Sequence, residues 1–353
     1  MQKLIALTCA LFLALTLAAC SGSGNTQNRS TTTPPSPAAV TAPTTPSASE
    51  QHAMPPTRGE VNSTLTEDIE NISADIMATN AYVLNVDSNT ALYQKNSDEH
   101  IAPASTAKML TALTVLDYSS LDDTFTVGSE IDLITSDSSR AWLNLGDTLT
   151  VKQLLVAMLL PSGNDAAYTL AVNVGKRIAG EDWLGAQQAI EVFANTMNQK
   201  AKEVGAASSN FVTPDGYDAD GQYTTTFDLA QIAKACLGND ILSEIMGSYK
   251  IYDTWINGRE VTYYNTNQLL NPDSQYYYSY AVGLKTGTSG DGGSCLVSAA
   301  TINGQTYICV VMGGSGETRF SDSLTIFNEI DPIISLPQEN NAPLAAPGGL
   351  RRR

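Results

Sequence analysis

Histidine is scarce in this chain of 353 residues, with only His52 and His100 present. His52 lies in a Pro/Ser/Thr-rich stretch, so a Ser-His-Asp hydrolase would have to run on His100. A zinc hydrolase would lack its usual imidazole ligands, and no metal or organic cofactor is expected. Basic residues are also few, 19 Lys and Arg against 36 Asp and Glu, for a formal net charge of −17. Without a basic patch to neutralise phosphates, nucleic acid is excluded as a partner. An anionic ligand must be caught by a few local cations. The five cysteines do not read as a disulfide framework. What the chain does have is the composition of a folded protein, 42% hydrophobic and 16% charged.

One lysine precedes an apolar run from Leu4 to Ala19, the layout of a secretory signal and shorter than the roughly 20 residues that span a bilayer. Leu17-Ala18-Ala19-Cys20 resembles a bacterial lipobox, which implies cleavage before Cys20 and a lipid on its sulfur. The alternative is ordinary signal cleavage near the same place. Residues 21–60 are Ser, Thr, Pro, Gly, Asn and Ala with almost no large apolar side chain, and such a segment cannot fold on its own. Extended, it reaches about 120 Å, the dimensions of a tether. A folded domain is expected over 61–335, followed by a Pro/Ala/Asn tail over 336–353. Cys236, Cys295 and Cys309 then remain and read as buried small hydrophobes. With Asn303-Gly304 as a two-residue turn, residue 309 stands opposite 298 and residue 295 points to the other sheet face, which forbids a bridge without a bulge.

Within the domain, residues 81–96 predict two short strands around a Ser-Asn turn. Helical periodicity covers 105–117, 150–160, 164–178, 181–204 (stopping at Gly205) and 225–240 (closed by Gly-Asn). Strands return after 249: a hairpin around Asn257-Gly258, then "AVGLKTGT", "SCLVSAATI" and "QTYICVVMG". The last two are apolar on both faces, as in strands covered on both sides. A closing helix covers "SDSLTIFNEI". An N-terminal hairpin, a helical middle and a C-terminal meander predict a single α/β domain whose sheet is made by both chain ends.

Three short patterns carry candidate chemistry. In "IAPASTAKML", Ser105 and Lys108 lie at i and i+3, close enough to share a hydrogen bond on one helix face. Either Ser105 caps a helix and Lys108 faces water, or burial depresses the lysine pKa until its amine can take the serine proton. Ser162-Gly163-Asn164 sits at a tight turn between apolar helices, where a hydroxyl could enter a cleft or merely cap. Lys285-Thr286-Gly287 lies on a strand, offering an ammonium and a hydroxyl to a carboxylate. Gly287 would leave room for a ligand backbone alongside, and the plain alternative is an edge lysine before a turn glycine.

In this order, S-x-x-K, S-x-N and K-T-G resemble the signature of penicillin-binding proteins and class A β-lactamases. The fuller stretches "APASTAKML", "PSGNDAAYTLA" and "VGLKTGTS" resemble the low-molecular-mass D-alanyl-D-alanine carboxypeptidases of peptidase family S11. So do the Pro-x-Gly loop and the helix opened by "YTTTFD" within 197–237, and "VVMGGSGETRFSDSLTIF". The likeness covers roughly residues 75–332. It implies a β-lactamase/transpeptidase-like α/β fold, an antiparallel sheet flanked by helices with a mostly helical subdomain. It further implies Ser105 as acylating nucleophile, Lys108 as its base, and Ser162 in proton passage to the leaving D-alanine. Asn164 would hold the peptide or the Lys108 amine, while Lys285 and Thr286 bind the terminal carboxylate. The Ser105 and Thr288 N–H groups would form the oxyanion hole, and Arg319 would assist at the carboxylate. The implied partners are the D-Ala-D-Ala end of a peptidoglycan stem peptide, β-lactams as inhibitors, and a membrane reached through the lipid. The implied location is outside the cytoplasm, facing the cell wall.

A β-lactamase of the same fold would need a Glu with Asn four residues on, in a loop. Glu191…Asn195 has that spacing but falls in a continuous amphipathic helical pattern, so Glu191 reads as a solvated face. A penicillin sensor without turnover and an endopeptidase are further alternatives. Larger members of the family carry a C-terminal β-rich domain and an amphipathic anchoring helix. Fewer than 25 residues follow the closing helix here, so membrane attachment is expected to rest on Cys20.

Overall fold

The computed structural model describes residues 72–331. The leader, Cys20, the segment 21–60 and the tail 336–353 lie outside the described residues. The chain opens with β1 (Asn80–Asn85) and β2 (Thr90–Lys95), followed by a 3-10 turn (Ala104–Ala107) that runs directly into α1 (Lys108–Tyr118). β3 (Thr124–Thr126) pairs with β4 (Thr148–Thr150), and α2 (Val151–Leu159), α3 (Asn164–Ala179), α4 (Ala186–Glu203), α5 (Thr226–Leu237) and α6 (Asp240–Gly247) follow. A separate hairpin of β5 (Lys250–Thr254) and β6 (Glu260–Tyr264) precedes the meander β7 (Ala281–Ser289), β8 (Gly293–Ile302) and β9 (Gln305–Gly314). The chain closes with α7 (Thr318–Ile330).

The main sheet is antiparallel with strand order β2-β1-β9-β8-β7, so both chain ends build it, as expected. Every residue of β1 is buried. Tyr82 and Leu84 face a core shared with α1, α2 and α5, whereas Ala81 and Val83 face a second core with Phe320, Ile326 and Phe327 of α7. This is the period-2 alternation of a strand covered on both sides. Helix α1 is buried from Lys108 to Val115, and its residues Met109, Leu110, Ala112, Leu113 and Val115 anchor the helical layer. Truncating a fully buried leucine such as Leu110 is worth about 2–5 kcal/mol of stability.

Asn303 and Gly304 both take positive φ, 52° and 80°, and Ser298 pairs with Cys309 across the hairpin they make. Cys295 and Cys309 face different cores, and the three cysteines among the described residues are free and buried.

Two boundaries differ from the sequence reading. The pattern over 181–204 becomes a helix only at Ala186, because Gly185 is the N-cap and Gln188 reaches back to its N–H. The Gly-Asn taken as the close of the helix over 225–240 starts another one instead. Asn239 accepts a hydrogen bond from the Leu242 N–H at 3.1 Å and so caps α6, an element the reading did not contain.

Candidate active site

The chemistry of the S-x-x-K stretch follows from its backbone. Ala104 takes φ 47°, a left-handed conformation, and turns the chain into the 3-10 turn that carries Ser105. Lys108 is the first residue of α1 and is fully buried. Its Nζ donates to Ser105 Oγ at 2.8 Å and to the Asp215 carbonyl at 2.9 Å. Burial pushes the amine down to about 8, while the more distant carboxylates of Asp215 and Asp165 pull the other way. Lys108 therefore does not face water, and the nucleophile–base alternative is the one the geometry supports.

Ser162 also adopts a left-handed backbone, φ 64°, at the turn between α2 and α3. Two strained non-glycine residues thus flank the site, a feature common where geometry serves function. The strain aims the Ser162 hydroxyl at Lys285, whose Nζ donates to it at 2.9 Å and to the Thr286 carbonyl at 3.0 Å. Lys285 is fully buried, and its amine is held well below the usual lysine range by that burial, then by the charges of Lys108 and Arg319. Lys285 and Ser162 are 123 residues apart in sequence.

Asn164 begins α3 and is buried. Its N–H donates to the Ser139 carbonyl, and its Oδ1 is a buried acceptor without a partner. Asp165, the next residue, accepts from the Ala141 and Leu143 N–H groups, which pins the loop after Ser139 against the helix. Thr286 shares a hydrogen bond of 2.5 Å with Thr266, a residue to which no motif in the sequence pointed. Arg319 Nη1 donates to the Gly287 carbonyl at 2.8 Å and to Thr288 Oγ1 at 2.7 Å. This places Arg319 at the end of the K-T-G strand.

Gly287 stands close against the nucleophile turn. A Cβ there would stand 3.0 Å from Ala104 Cβ and 3.2 Å from the Ser105 nitrogen. The absent side chain makes room for the nucleophile turn. Gly216, in the Pro-x-Gly loop, is tighter still. At φ 80° its Cβ would fall 1.8 Å from the Ala104 carbonyl. Together with a left-handed conformation that costs about 1–2 kcal/mol per non-glycine residue, Gly216→Ala is expected to destabilise by about 3 kcal/mol. It should also displace the neighbouring Asp215 carbonyl from Lys108 and slow any reaction at Ser105 at least about tenfold. Thermal melting and activity measured on one preparation test both.

Ser105, Asn164 and Thr288 open on one cleft of about 370 Å³, walled further by Asp137, Tyr217 and Asp218. No cluster of metal-ligating side chains exists among the described residues. Glu191 is exposed on α4.

Residues 66–316 match the sequence profile of the D-alanyl-D-alanine carboxypeptidases. The chain belongs to this carboxypeptidase family. It is 33% identical over 273 residues to the D-alanyl-D-alanine carboxypeptidase of Streptomyces sp. strain K15, covering 72% of this chain and 87% of that one. To D-alanyl-D-alanine carboxypeptidase DacF of Bacillus subtilis it is 31% identical over 241 residues, 67% of this chain and 58% of the relative. The chain thus spans less than two thirds of that longer relative. Among solved structures, the Streptomyces K15 DD-transpeptidase superposes with a TM-score of 0.66 at 32% identity, covering 73% of this chain and 98% of that one. The D-alanyl-D-alanine carboxypeptidase of Mycobacterium tuberculosis H37Rv gives 0.63 at 29% identity, covering 76% of this chain and 96% of that one. The family resemblance and the β-lactamase/transpeptidase-like fold read from the sequence both stand. In this carboxypeptidase-family chain the three motifs, far apart in sequence, converge on two Ser–Lys pairs.

Proposed function

We propose that the protein is a serine-type D-Ala-D-Ala carboxypeptidase that removes the terminal D-alanine from peptidoglycan stem pentapeptides. The observation that carries the reading is the 2.8 Å contact between Ser105 Oγ and a buried Lys108 amine depressed to about 8. At neutral pH such an amine spends an appreciable fraction of its time neutral and can act as a base.

Ser105 Oγ attacks the carbonyl carbon of the penultimate D-alanine as Lys108 takes the hydroxyl proton. The oxyanion is received by the Ser105 and Thr288 N–H groups, each such donor worth about 3 kcal/mol in comparable enzymes. Ser162 passes its proton to the leaving amine as the C–N bond breaks and takes in its place the proton held by Lys108, and D-alanine departs from an ester on Ser105. Water, giving a proton to the now neutral Lys108, then attacks the ester and restores the serine. The substrate carboxylate is taken by Thr286, Thr288 and Arg319. Lys285 supports the Ser162 hydroxyl, and Asn164 holds the peptide backbone. Glu191 is too exposed on its helix to serve as a second, deacylating base, so penicillin should acylate Ser105 and leave slowly.

Cys20 is proposed as the lipid attachment and 21–60 as the tether, which holds the domain over the outer face of a membrane. No helix among the described residues is long and apolar enough to cross one. The purified protein is expected to release D-alanine from a D-Ala-D-Ala pentapeptide, and Cys20→Ser is expected to leave the membrane fraction of cells. Rapid nitrocefin turnover without D-alanine release would replace this reading with a β-lactamase, and penicillin labelling without either turnover with a sensor.

A further inference from the structure

Thr266 belongs to none of the three motifs and to no strand, yet it touches two of the segments that build the site. Its N–H donates at 3.2 Å to the carbonyl of Leu160, two residues before Ser162. Its hydroxyl shares a hydrogen bond of 2.5 Å with Thr286 of the K-T-G strand. The backbone on either side is held without help from that hydroxyl. Asn265, 3% exposed, donates from Nδ2 to the Met246 carbonyl at 2.9 Å and to the Ser248 carbonyl at 3.2 Å. Its Oδ1 accepts from the Asn267 N–H at 2.9 Å, and Asn267 Oδ1 accepts in turn from the Leu269 N–H at 3.1 Å. Two buried asparagines thus clamp the chain around Thr266, and its hydroxyl has no task in that clamp.

What Thr286 has to bind sets the direction of the bond between the two threonines. A carboxylate only accepts hydrogen bonds, and a threonine hydroxyl has a single hydrogen to give. If Thr286 gives that hydrogen to Thr266, it turns lone pairs towards the substrate, and these repel a carboxylate. With Thr266 as the donor, the Thr286 hydrogen is released to the substrate, and the bond it receives strengthens the bond it gives. The pair reverses direction without losing its hydrogen bond. We propose that Thr266 is a positioning residue of the carboxylate site, its hydroxyl donating to Thr286 Oγ1 and so turning the Thr286 hydrogen onto the terminal carboxylate of the substrate. The assignment rests on the function proposed above and deepens it, because Thr266 acts only through Thr286 and only on substrates that end in a carboxylate.

Two thioesters test this on the full-length protein: Nα-acyl-D-alanyl-thioglycolate, which ends in a carboxylate, and its methyl ester, which does not. Both acylate Ser105 with release of a thiol that is followed by absorbance, whatever the natural leaving group. Thr266→Val keeps the shape of the side chain and removes the hydroxyl. In it, kcat/KM for the acid should fall about five- to tenfold, the effect of one neutral hydrogen bond. The methyl ester should stay within about twofold of the parent. Thr266→Ala should repeat that result, and Thr266→Ser, which keeps a hydroxyl, should retain the acid within about twofold of the parent. D-Alanine release from a pentapeptide should follow the acid thioester through all three variants. An equal fall for both thioesters, an undiminished preference for the acid, or a Thr266→Ser variant as impaired as Thr266→Val overturns the assignment. So does a melting temperature that collapses in Thr266→Val and Thr266→Ala alike, which would make the hydroxyl a support of the fold. Absence of D-alanine release by the parent, with the acid-selective loss intact, would overturn the carboxypeptidase reading and leave Thr266 in its role. D-Alanine release at the parent rate by Thr266→Val would do the reverse.

Discussion

Ser105→Ala should lower D-alanine release by at least about 10⁴-fold, because removing a nucleophile takes away the covalent route and leaves only binding and oxyanion stabilisation. The fold should survive. Ser105 sits in a 3-10 turn held by the Thr106 hydroxyl on the Pro103 carbonyl, a bond the substitution does not touch. Lys108 keeps the Asp215 carbonyl as a partner. Steady-state release, a fluorescent penicillin and a melting curve on one preparation distinguish loss of chemistry from loss of structure. Release and covalent labelling should vanish together while the melting temperature stays within a few degrees of the parent. A variant that still forms a stable penicillin adduct would remove Ser105 from the role of nucleophile.

Lys108→Met should cost about 10²–10⁴-fold, the range for a lost general base. The same residue sets the pH dependence. The reacting form is the neutral amine, so kcat/KM in the parent should rise about tenfold per pH unit below about pH 8 and level off above it. In Lys108→Met the remaining activity should lack that rise. Stability moves differently. The folded-state value of about 8 lies below the 10.5 of a free lysine, a difference of about 3 kcal/mol. Between those two pH values the unfolded chain holds the extra proton, so stability increases with pH across the window, and below about pH 8 the buried charge is a standing cost. Methionine removes that cost but leaves the Asp215 carbonyl without its donor, worth about 1–3 kcal/mol. The two nearly offset, and the melting temperature at pH 7 should change by no more than a few degrees. A collapse in melting temperature would mean that Lys108 serves the fold before it serves the reaction.

The parts of this site that were legible in the sequence are those encoded over short distances. Ser105 and Lys108 meet because three residues of helical backbone bring them together, which spacing alone predicts. The strands were legible through two-residue periodicity and through Asn-Gly turns, and the pairing of residue 298 with Cys309 follows from the turn geometry. What stayed hidden depends on contacts between distant segments. The Lys285–Ser162 bond joins residues with no local relation, and only the family resemblance placed them together. The Asp215 carbonyl that holds Lys108 is a backbone atom, which any residue type could present. Thr266 is one threonine among many until Thr286 is set against it. Gly287 was correctly noticed for its missing side chain, but the neighbour filling that space lies about 180 residues earlier in the chain. Helix α6 was missed because Asn239 can end one helix or cap the next, and sequence alone does not choose between them.

The strand order has a consequence for how the protein comes into being. The inner partner of β1 is β9, with Asn80 opposite Met312. A chain delivered from its N-terminus, by the ribosome or through a translocation pore, therefore presents the first hairpin long before the strand that must lie against it. The intervening loop has to be closed before the pairing gives any return. Until residues 305–314 emerge, one edge of that hairpin and the apolar side of α1 have no completed core to enter. The nucleophile turn, wedged between α1 and the K-T-G strand, cannot be assembled earlier. Vectorial synthesis thus leaves the main sheet and the nucleophile turn incomplete, and the site unassembled, until nearly all of the chain has been made.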